Sequence, residues 1–461
     1  MKTPIKTLLK PLSLALFVAA TLPTQSAYIR TSPPSDTIPA IGPSSHFCKA
    51  IGGPASEAGN SLIQTSDGGY AITGATISFG AGEADVYAVK LDAKGNLQWT
   101  RTIGGPESEA GNSLIQTSDG GYAIAGYTAS FGAGRADVYL VKLDAKGNLQ
   151  WTRTIGGEKD EVGFSLIQTS DGGYAIAGHT KSFSAGDWDV YLVKLDAKGN
   201  LQWTRTIGGE SDDIGHSLIQ TSDGGYAIAG YTISFGAGGE DVYVVKLDAK
   251  GNLQWTKTIG GENDEGTLLI NAPDDIIQTS DGGYAIAGST ESFGAGKADV
   301  YLVKLDAKGN LQWTKTIGGE NWDVGFSLIQ TSDGGYAIAG DTGLPGEWDI
   351  YVVKLDAKGD LQWTKTIDVK NEYFSKPSLI QTSDGGYAIA GHTESLGAGE
   401  LDVYLVKLDR NGDACCAVSQ TSQVGSGGTL SSATSSIGSG GTLTSPNPST
   451  SSGGTLTNQC P

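Results

Sequence analysis

The chain of 461 residues is long enough for several domains, but its composition narrows the choice of fold. It contains 69 Gly and one Met, a balance that is typical of turn-rich β proteins and argues against helical bundles. Its formal net charge of −19 argues against nucleic acid and anionic lipid as partners, because a strongly acidic protein repels polyanions.

The first predicted element is an export signal at residues 1–27. Three lysines within the first ten residues precede an apolar run from Leu12 to Leu22, and the small residues Ser26 and Ala27 follow it. The apolar run is too short to cross a bilayer, and no other segment is apolar over the length that a membrane helix needs. We therefore expect a secreted, periplasmic or cell-surface protein without membrane insertion.

A repeat of about 52 residues follows a linker at 28–44. The phrase SDGGY occurs seven times, with its Asp at Asp67, Asp119, Asp171, Asp223, Asp281, Asp333 and Asp384. Each copy contains four strand-length segments, for example NSLIQT, GYAIAGYT, DVYLVKLD and LQWTRTIGG, separated by turn residues. Both faces of the central segments are apolar, so each sheet needs a neighbour on either side. The repeat predicts an all-β fold at 45–413, a seven-bladed β-propeller of four-stranded antiparallel blades.

The first and last copies are incomplete in complementary ways. Copies one to six end in a segment that contains Trp, whereas copy seven has Cys416 where that Trp is expected. The segment SHFCKAIGG before copy one aligns with the missing segment and places Phe47 opposite Trp99. We therefore predict that an N-terminal strand completes blade seven and closes the ring, which leaves no exposed sheet edge between the two ends.

Cysteines occur only near the ends of the predicted propeller and of the tail that follows it. They are Cys48, Cys415, Cys416 and Cys460. Pairing is expected in an exported protein, and three connectivities are possible. Closure of the ring would bring Cys48 near Cys415 or Cys416, so we expect a disulfide there. Cys460 would pair with Cys415, with Cys416 or with another molecule.

The pattern GYAIAGYT, then DVYLVKLD, then GNLQWT before TIGG resembles the seven-bladed propeller repeats of secreted bacterial and archaeal proteins. The resemblance covers about Ser45 to Asp413 and implies a propeller fold. It implies no catalytic residue, although some similar chains carry endoglucanase-like labels. The sialidase turn motif S-x-D-x-G-x-T-W is absent, because Thr-Ser-Asp-Gly-Gly-Tyr stands in its place.

Acidic loops are the first candidate for chemistry. In propellers, the loops after the fourth and the second strands usually open on the face that binds ligands. One acid recurs after the fourth segment, at Glu57, Glu109, Glu161, Asp213, Glu265 and Asp323. Clustered oxygens suit calcium, but no loop has the spacing of a calcium-binding loop. We favour solvated acidic loops, predict no cofactor, and assign no catalytic residue because no carboxylate pair stands out.

Departures from the repeat indicate a candidate ligand site. Trp322 lies in the acidic loop that precedes blade six, beside Asp323, and Trp348 follows Glu347 in a shortened loop of the same blade. Trp188 occupies the position of Trp348 in blade three. Exposed rings beside carboxylates suit sugars, because the ring packs on C–H groups of the sugar while the carboxylate accepts hydrogen bonds from its hydroxyl groups. The alternative is that each Trp packs on the neighbouring blade.

The tail at 414–461 has no charged residue and is rich in Ser, Thr and Gly. Too few apolar side chains are present for a compact domain. A flexible spacer is one interpretation, and weak β structure packed on the propeller is the other.

Three function classes remain. A secreted binding or interaction module is favoured, with a glycan or protein ligand on the acidic-loop face and a monomeric state, because a rigid disc with variable loops suits recognition. A polysaccharide-binding or polysaccharide-degrading propeller is the alternative. A purely structural surface repeat is the third.

Overall fold

The computed structural model describes residues 46–265, 275–397 and 399–414, and seven short strands between residues 417 and 458. The chain divides into two units, Met1–Ser44 and Ser45–Pro461. The predicted export signal and linker lie outside the described residues. In the portion described, no helix has the length and apolar character needed to cross a membrane.

Seven sheets each contain the four strands of one repeat, hydrogen-bonded in order. The first strands are β2 (Glu57–Gln64), β6 (Glu109–Gln116), β10 (Glu161–Gln168), β14 (Asp213–Gln220), β18 (Asp275–Gln278), β22 (Trp322–Gln330) and β26 (Ser378–Gln381). The second strands are β3 (Tyr70–Thr76), β7 (Tyr122–Thr128), β11 (Tyr174–Thr180), β15 (Tyr226–Thr232), β19 (Tyr284–Thr290), β23 (Tyr336–Leu344) and β27 (Tyr387–Thr393). The third strands are β4 (Asp85–Leu91), β8 (Asp137–Leu143), β12 (Asp189–Leu195), β16 (Asp241–Leu247), β20 (Asp299–Leu305), β24 (Glu347–Leu355) and β28 (Asp402–Leu408). The fourth strands are β5 (Leu97–Gly104), β9 (Leu149–Gly156), β13 (Leu201–Gly208), β17 (Leu253–Gly260), β21 (Leu311–Gly318), β25 (Leu361–Asn371) and, in blade seven, β1 (Phe47–Gly52).

The same hydrogen bond joins each blade to the next around the axis. Between blades one and two, the Leu114 amide donates to Ser61 Oγ at 3.1 Å, and between blades seven and one the Leu62 amide donates to Ser378 Oγ at 3.1 Å. Blade five carries Asp275 in place of the serine, and its carboxylate accepts from the Leu328 amide. The other blade pairs repeat the serine bond. This unbroken circle confirms the predicted seven-bladed ring.

Strand β1 completes blade seven, as predicted. It pairs with β28 from Phe47 opposite Lys407 to Ile51 opposite Val403. The Phe47 ring meets Tyr70 of blade one edge to face at 6.0 Å, as the Trp99 ring meets the equivalent tyrosine of blade two at 5.6 Å. Phe47 therefore replaces the tryptophan at the one junction where the chain closes on itself.

The Asp and Lys that recur in every blade are structural. Lys90 is buried, and its Nζ lies 3.0 Å from Asp67 Oδ2 and 2.8 Å from the Leu91 carbonyl oxygen. Partial burial opposes ionisation of Asp67, but hydrogen bonds from its surroundings lower its pKa to about 2. The same pair occurs in all seven blades, which explains why the residues recur without any need for a ligand.

The C-terminal tail adds a fifth strand to every blade. These strands run around the ring against the order of the blades, from blade six down to blade one and then to blade seven. They are β29 (Ala417–Ser419), β30 (Gln423–Gly425), β31 (Thr429–Ser431), β32 (Ser436–Gly438), β33 (Thr442–Thr444), β34 (Ser449–Ser451) and β35 (Thr455–Asn458). We call this set the tail belt. The interpretation as a flexible spacer is wrong for these segments, because they pair with existing edges and need no core of their own.

Cys48 is buried within β1. Its predicted partners Cys415 and Cys416, and also Cys460, lie outside the described residues, so the disulfide stays a prediction. Ala414, which precedes Cys415, packs against the core cluster that contains Cys48.

Candidate functional site

The loops after the fourth and the second strands lie together, on what we call the acidic-loop face. In blades one and two, the Glu107 amide donates to Ser130 Oγ at 2.8 Å and joins the loop after β5 to the loop after β7. The recurrent acid of this face is buried: Glu109 accepts from the Gly105 amide at 2.6 Å and from Thr128 Oγ1 at 2.7 Å. The expectation that this acid is solvated is therefore wrong, because it ties the two loops together.

The first strand of most blades contains a β-bulge close to the acidic-loop face. The bulged residue in blades one and two is Asn60 or Asn112. The amide of Asn60 donates to the Gly111 carbonyl at 3.0 Å on the first strand of the next blade. Because the first strands of neighbouring blades contact one another around the axis, the bulged residues lie on the innermost strands. Blades three, four and six place Phe164, His216 and Phe326 at this position.

Five rings form one connected row across blades three and four. The ring centroids of Trp188 and His179 lie 4.3 Å apart, those of His179 and Phe164 lie 5.2 Å apart, and those of Phe164 and His216 lie 5.0 Å apart. His216 then meets Tyr231 at 5.7 Å. Trp188, His179 and Phe164 are partly exposed, whereas His216 and Tyr231 are buried. We call these five residues the aromatic row.

Histidines in this region keep an unused ring nitrogen. Burial lowers the pKa of His179 and of His216 to about 3, so both rings are neutral at neutral pH. Burial, with a contribution from the charge of Lys376, lowers the pKa of His392 to about 4. The Nδ1 atom of each ring has no hydrogen-bond partner among the described residues. Each of these Nδ1 atoms is buried in the protein and is therefore not accessible to a ligand.

Blade seven begins with a segment that departs from the repeat. Asp341 of blade six is fully buried and accepts hydrogen bonds from the Ser375 amide at 2.8 Å, from Ser375 Oγ, and from the Lys376 amide at 3.2 Å. Burial raises the pKa of Asp341 to about 7. These bonds hold Lys376 at a φ of 45°. No other residue except glycine has a left-handed φ within the described ranges.

The tryptophans and acids predicted as a sugar site differ in their exposure. Trp322 and Trp348 flank Gly343 on the three neighbouring strands of blade six, each paired directly with it. Trp348 is only 4% exposed and its ring lies 4.0 Å from that of Phe374, so the expectation of an exposed ring is wrong at this position. Asp323 is buried as well, and accepts from the Gly319 amide at 2.7 Å.

The other three predicted residues are exposed, either partly or fully. Trp322 and Trp188 are partly exposed and Glu347 is exposed. Of the five predicted residues, only Trp188 belongs to the aromatic row. Sequence reasoning missed Phe164, His216 and Lys376 as candidates. The available signal was a comparison of the copies position by position, in which Phe and His replace Asn60 and Asn112.

Glu240 is a further departure, at the position that Trp188 occupies in blade three. It is 3% exposed, and its Oε2 has no hydrogen-bond partner among the described residues. Burial raises the pKa of Glu240 to about 8, and the nearby charges of Asp264, Asp212 and Glu291 act in the same direction. The carboxyl group is therefore protonated at neutral pH.

We expect Glu240→Gln to stabilise the protein at alkaline pH. Because the pKa of Glu240 in the folded protein lies above its ordinary value of 4.5, the stability from the protonated carboxyl is present below about pH 4.5 and is lost as the pH rises through 8. At pH 9 the free energy of unfolding of the variant should therefore exceed that of the wild type by up to a few kcal/mol, which raises its Tm. At pH 5 the two Tm values should be similar. Thermal melts at the two pH values provide the measurement. Glu107→Gln, at an exposed acid, is the control and should change neither Tm. An equal loss of stability at both pH values would contradict the assignment.

No cluster of three or more His, Cys, Asp or Glu side chains suited to a metal ion occurs in the described part of the chain. The recurrent acids bond to amides and hydroxyls of their own loops, which leaves the sequence-based calcium alternative without a set of ligands among those residues.

Comparison with known proteins adds little to these observations. No family model matches the chain. The Regulatory protein FlaEY of Caulobacter vibrioides is 29% identical over 194 residues, which are 36% of this chain and 20% of that protein. The chain thus spans about a fifth of the length of this curated relative.

Solved structures with a similar course of the chain include several unrelated proteins. An ulvan lyase of polysaccharide lyase family PL25 has 10% identity and a TM-score of 0.48, with 82% of this chain and 97% of that chain covered. The Pan2 WD40 domain of Neurospora crassa has 10% identity and a TM-score of 0.46, with coverage of 76% and 89%. A protein of unknown function from Dyadobacter fermentans has 12% identity and a TM-score of 0.43, with coverage of 78% and 98%. Such distant likenesses carry no conclusion about function.

Proposed function

We propose that this chain is an exported binding module that holds a carbohydrate along the aromatic row. The observation that carries the proposal is the row itself: the positions at which the copies differ include five rings in contact, which begin at Trp188 on a loop and end at Tyr231. In a repeat whose copies are nearly identical, a site for one ligand must arise where the copies differ.

Carbohydrate suits this surface better than a protein segment does. Partly exposed ring faces pack on the C–H groups of a sugar, and nearby carboxylates accept hydrogen bonds from its hydroxyls. Asp187 is exposed beside Trp188, and Asp212 Oδ1 accepts from the Trp188 amide at 3.2 Å. Lys181 Nζ lies 5.2 Å from the centroid of the Trp188 ring. The loop end of the row therefore combines an apolar face with charged hydrogen-bonding groups. Membership of the secreted propeller repeat family is part of the same proposal.

The repeat supplies the variants that test this function. Phe164→Asn and His216→Asn install the residue that blades one and two have at the bulge, so both variants should fold. A glycan array with the mature wild-type protein should yield a bound class, and each variant should weaken that binding at least tenfold. Tyr127→His is the matched control, because Tyr127 occupies the position of His179 in blade two, away from the row, and should leave binding unchanged. Unaltered binding in the Asn variants, or the absence of any bound glycan, would refute the proposal.

Glu240 favours a second candidate, a polysaccharide-degrading enzyme. A carboxyl group kept protonated by burial beside ionised acids is the arrangement that glycoside hydrolysis uses for its general acid. Burial raises the pKa of Tyr231, at the end of the aromatic row, and ionisation of the nearby Glu240 carboxyl would raise it further. If the array identifies a bound polysaccharide, release of reducing ends by the wild type and its loss in Glu240→Gln would establish this candidate. Binding without release would exclude it for that polysaccharide.

A further inference from the structure

The turns between the third and fourth strands carry lysines on the side of the propeller away from the acidic-loop face. Because each strand crosses its blade, these turns lie at the opposite end from the acidic loops, and we call this side the turn face. In blades one to six each turn exposes one lysine, and none of these ammonium groups forms a salt bridge within the described residues. The lysines are Lys94, Lys146, Lys198, Lys250, Lys308 and Lys358.

An arginine of the fourth strand is held against the turn at the junction of blades one and two. Arg101 Nε donates to the Gly147 carbonyl oxygen at 2.9 Å, and its Nη2 donates to that of Lys146 at 3.1 Å. Its Nη1 donates to the Thr100 carbonyl oxygen at 2.7 Å, and its guanidinium carbon lies 5.4 Å from the centroid of the Trp99 ring. Three of the five N–H donors of a guanidinium are thus used, so the partly exposed group keeps donors for a ligand.

The same contacts recur at the next two junctions. Arg153 donates to the carbonyl oxygens of Gly199 and Lys198 at 3.1 and 3.2 Å. Arg205 makes the equivalent bonds to the turn of blade four at 2.9 and 3.2 Å. Each guanidinium lies over the tryptophan two residues before it, at 4.9 and 5.1 Å. Three consecutive junctions therefore pair a fixed arginine with an exposed lysine, and we call them the basic junctions: Arg101 with Lys146, Arg153 with Lys198, and Arg205 with Lys250.

Acids neutralise the equivalent place at two other junctions. Between blades five and six and between blades six and seven, lysine replaces the arginine and aspartate replaces the asparagine of the turn. Lys315 Nζ lies 3.4 Å from Asp360 Oδ1, and Lys365 Nζ lies 2.7 Å from Asp413 Oδ1. The chain thus contains both a basic and a neutralised form of the same junction.

The aspartate of each basic turn is engaged in closing the turn. Asp144 Oδ1 accepts from the amides of Lys146 and Asn148 at 2.8 Å, and its Oδ2 accepts from Asn148 Nδ2 at 2.8 Å. The bond from the Asn148 amide has the largest effect in lowering the pKa of Asp144, so this carboxylate stays ionised. An anion at the junction is therefore attracted by two cations and repelled by one acid.

The acids of the opposite face do not cancel this attraction. A third strand such as β8 has 7 residues, which separate the two ends of a blade by roughly 20 Å. Salt screens exposed charges beyond about 8 Å at physiological ionic strength. The net charge of −19 therefore does not describe what an anion meets on the turn face.

We propose that the turn face of blades one to four binds a linear acidic polysaccharide, whose uronate carboxylates lie at the three basic junctions. The planar fork of an arginine matches a carboxylate, and the lysine adds a flexible second cation. Binding at one junction raises the effective concentration of the polymer at the next. A uronate polymer has one charge per sugar, so the turn aspartates repel it less than they repel a dense polyphosphate. The site lies opposite the aromatic row and does not depend on the function proposed above.

Isothermal titration with polygalacturonate fragments tests the ligand class. The wild type should bind the polymer at least about a hundredfold more tightly than it binds the galacturonate monomer, because linked sites raise affinity by roughly 10²–10⁴. The full methyl ester, which keeps the backbone and lacks the charges, should bind at least about tenfold more weakly than the acid. Equal affinity for acid and ester would overturn the proposal. Polyphosphate that binds as tightly as polygalacturonate would also overturn it, since the face would then hold any polyanion.

The neutralised junctions supply the loss-of-binding variant. Replacement of the turn asparagine by the aspartate of blade six should leave the fold intact, as thermal melts will check, and should weaken polygalacturonate binding at least about tenfold. The control makes the same change of net charge with three exposed cations of the acidic-loop face and should bind like the wild type. Equal losses in both triple variants would overturn the assignment to the basic junctions. The test variant is Asn148→Asp, Asn200→Asp, Asn252→Asp, and the control is Arg135→Gln, Lys159→Gln, Lys297→Gln.

A gain of binding provides the converse test. Lys315→Arg together with Asp360→Asn converts the junction of blades five and six to the basic form, with residues that blades one to three already have. This double variant should bind polygalacturonate severalfold more tightly than the wild type, because a further junction joins the set. Unchanged or weaker binding in a variant that melts like the wild type would contradict the role of the basic junctions.

Discussion

A chain that begins at Gly53 instead of His46 is expected to lose the closed ring. The missing strand β1 buries Cys48, Ala50 and Ile51 between blades and pairs with β28 along five residues. Burial of one large aliphatic side chain contributes roughly 1.5–3 kcal/mol, so loss of the strand costs an amount on the order of the whole stability of a domain. Far-UV circular dichroism and size-exclusion chromatography should show an unfolded or aggregated protein, whereas a chain that begins at His46 keeps a cooperative melt.

A pair of point substitutions tests the same closure in the intact chain. Ile51 of β1 and Ile155 of β9 occupy equivalent positions in their blades and are both fully buried. Ile→Ala at either position should lower the free energy of unfolding by about 2–5 kcal/mol. If β1 contributes to blade seven as β9 contributes to blade two, the two losses will be similar. A loss at Ile155 without one at Ile51 would show that the ring closes without β1.

A chain that ends at Asp413 is expected to keep its blades and to self-associate. Removal of the tail belt exposes the outer edge of every blade, and unpaired edges attract further strands. The melting temperature should fall only modestly. A hydrogen bond contributes roughly 1 kcal/mol net, and the ordering of each tail residue costs about as much. Light scattering after chromatography should report oligomers that the full chain does not form, and a monomer would contradict this role of the belt.

Proline scanning resolves the belt blade by blade. Leu430 of β31 lies opposite Ile259 of blade four, and Leu443 of β33 lies opposite Ile155 of blade two. Because proline cannot donate a backbone hydrogen bond, Leu430→Pro should accelerate amide exchange along β17 and leave β9 unchanged. Leu443→Pro should have the reverse effect. Exchange that is the same in both variants and in the wild type would mean that these strands do not protect the blades.

The blades and their closure were predictable because the repeat states the same pattern seven times. Each copy carries turn residues at fixed positions and apolar faces that only neighbouring blades can cover. Phe47 was identifiable because its segment matches the one that contains Trp99 and because copy seven lacks that segment. The order of the repeats along the chain and their hydrophobic pattern were therefore enough to predict the fold.

The tail belt and the aromatic row needed coordinates. A tail without charged side chains and with few large apolar ones has the composition of a linker, but backbone pairing to a ready edge depends little on composition. The row was obscured because Phe164 and His216 lie on regular strands, where an aromatic residue usually indicates core. The bulge brings the Phe164 and His216 rings of neighbouring blades to within 5.0 Å of each other. Trp348 was misjudged for the opposite reason. Its position in a predicted loop indicated an exposed ring, whereas the ring packs on Phe374.

The reversed course of the tail belt has a mechanical consequence. Its last strand, β35, lies on β1, so both ends of the propeller chain meet on blade seven. A pulling force on the C-terminus would detach β35 first, then the strands on blades one to five in rising order, and that on blade six last. Because consecutive belt strands begin six or seven residues apart, each release would lengthen the chain by about 20 Å. Under load the tail would therefore extend in small steps of fixed order, while the seven blades stay folded.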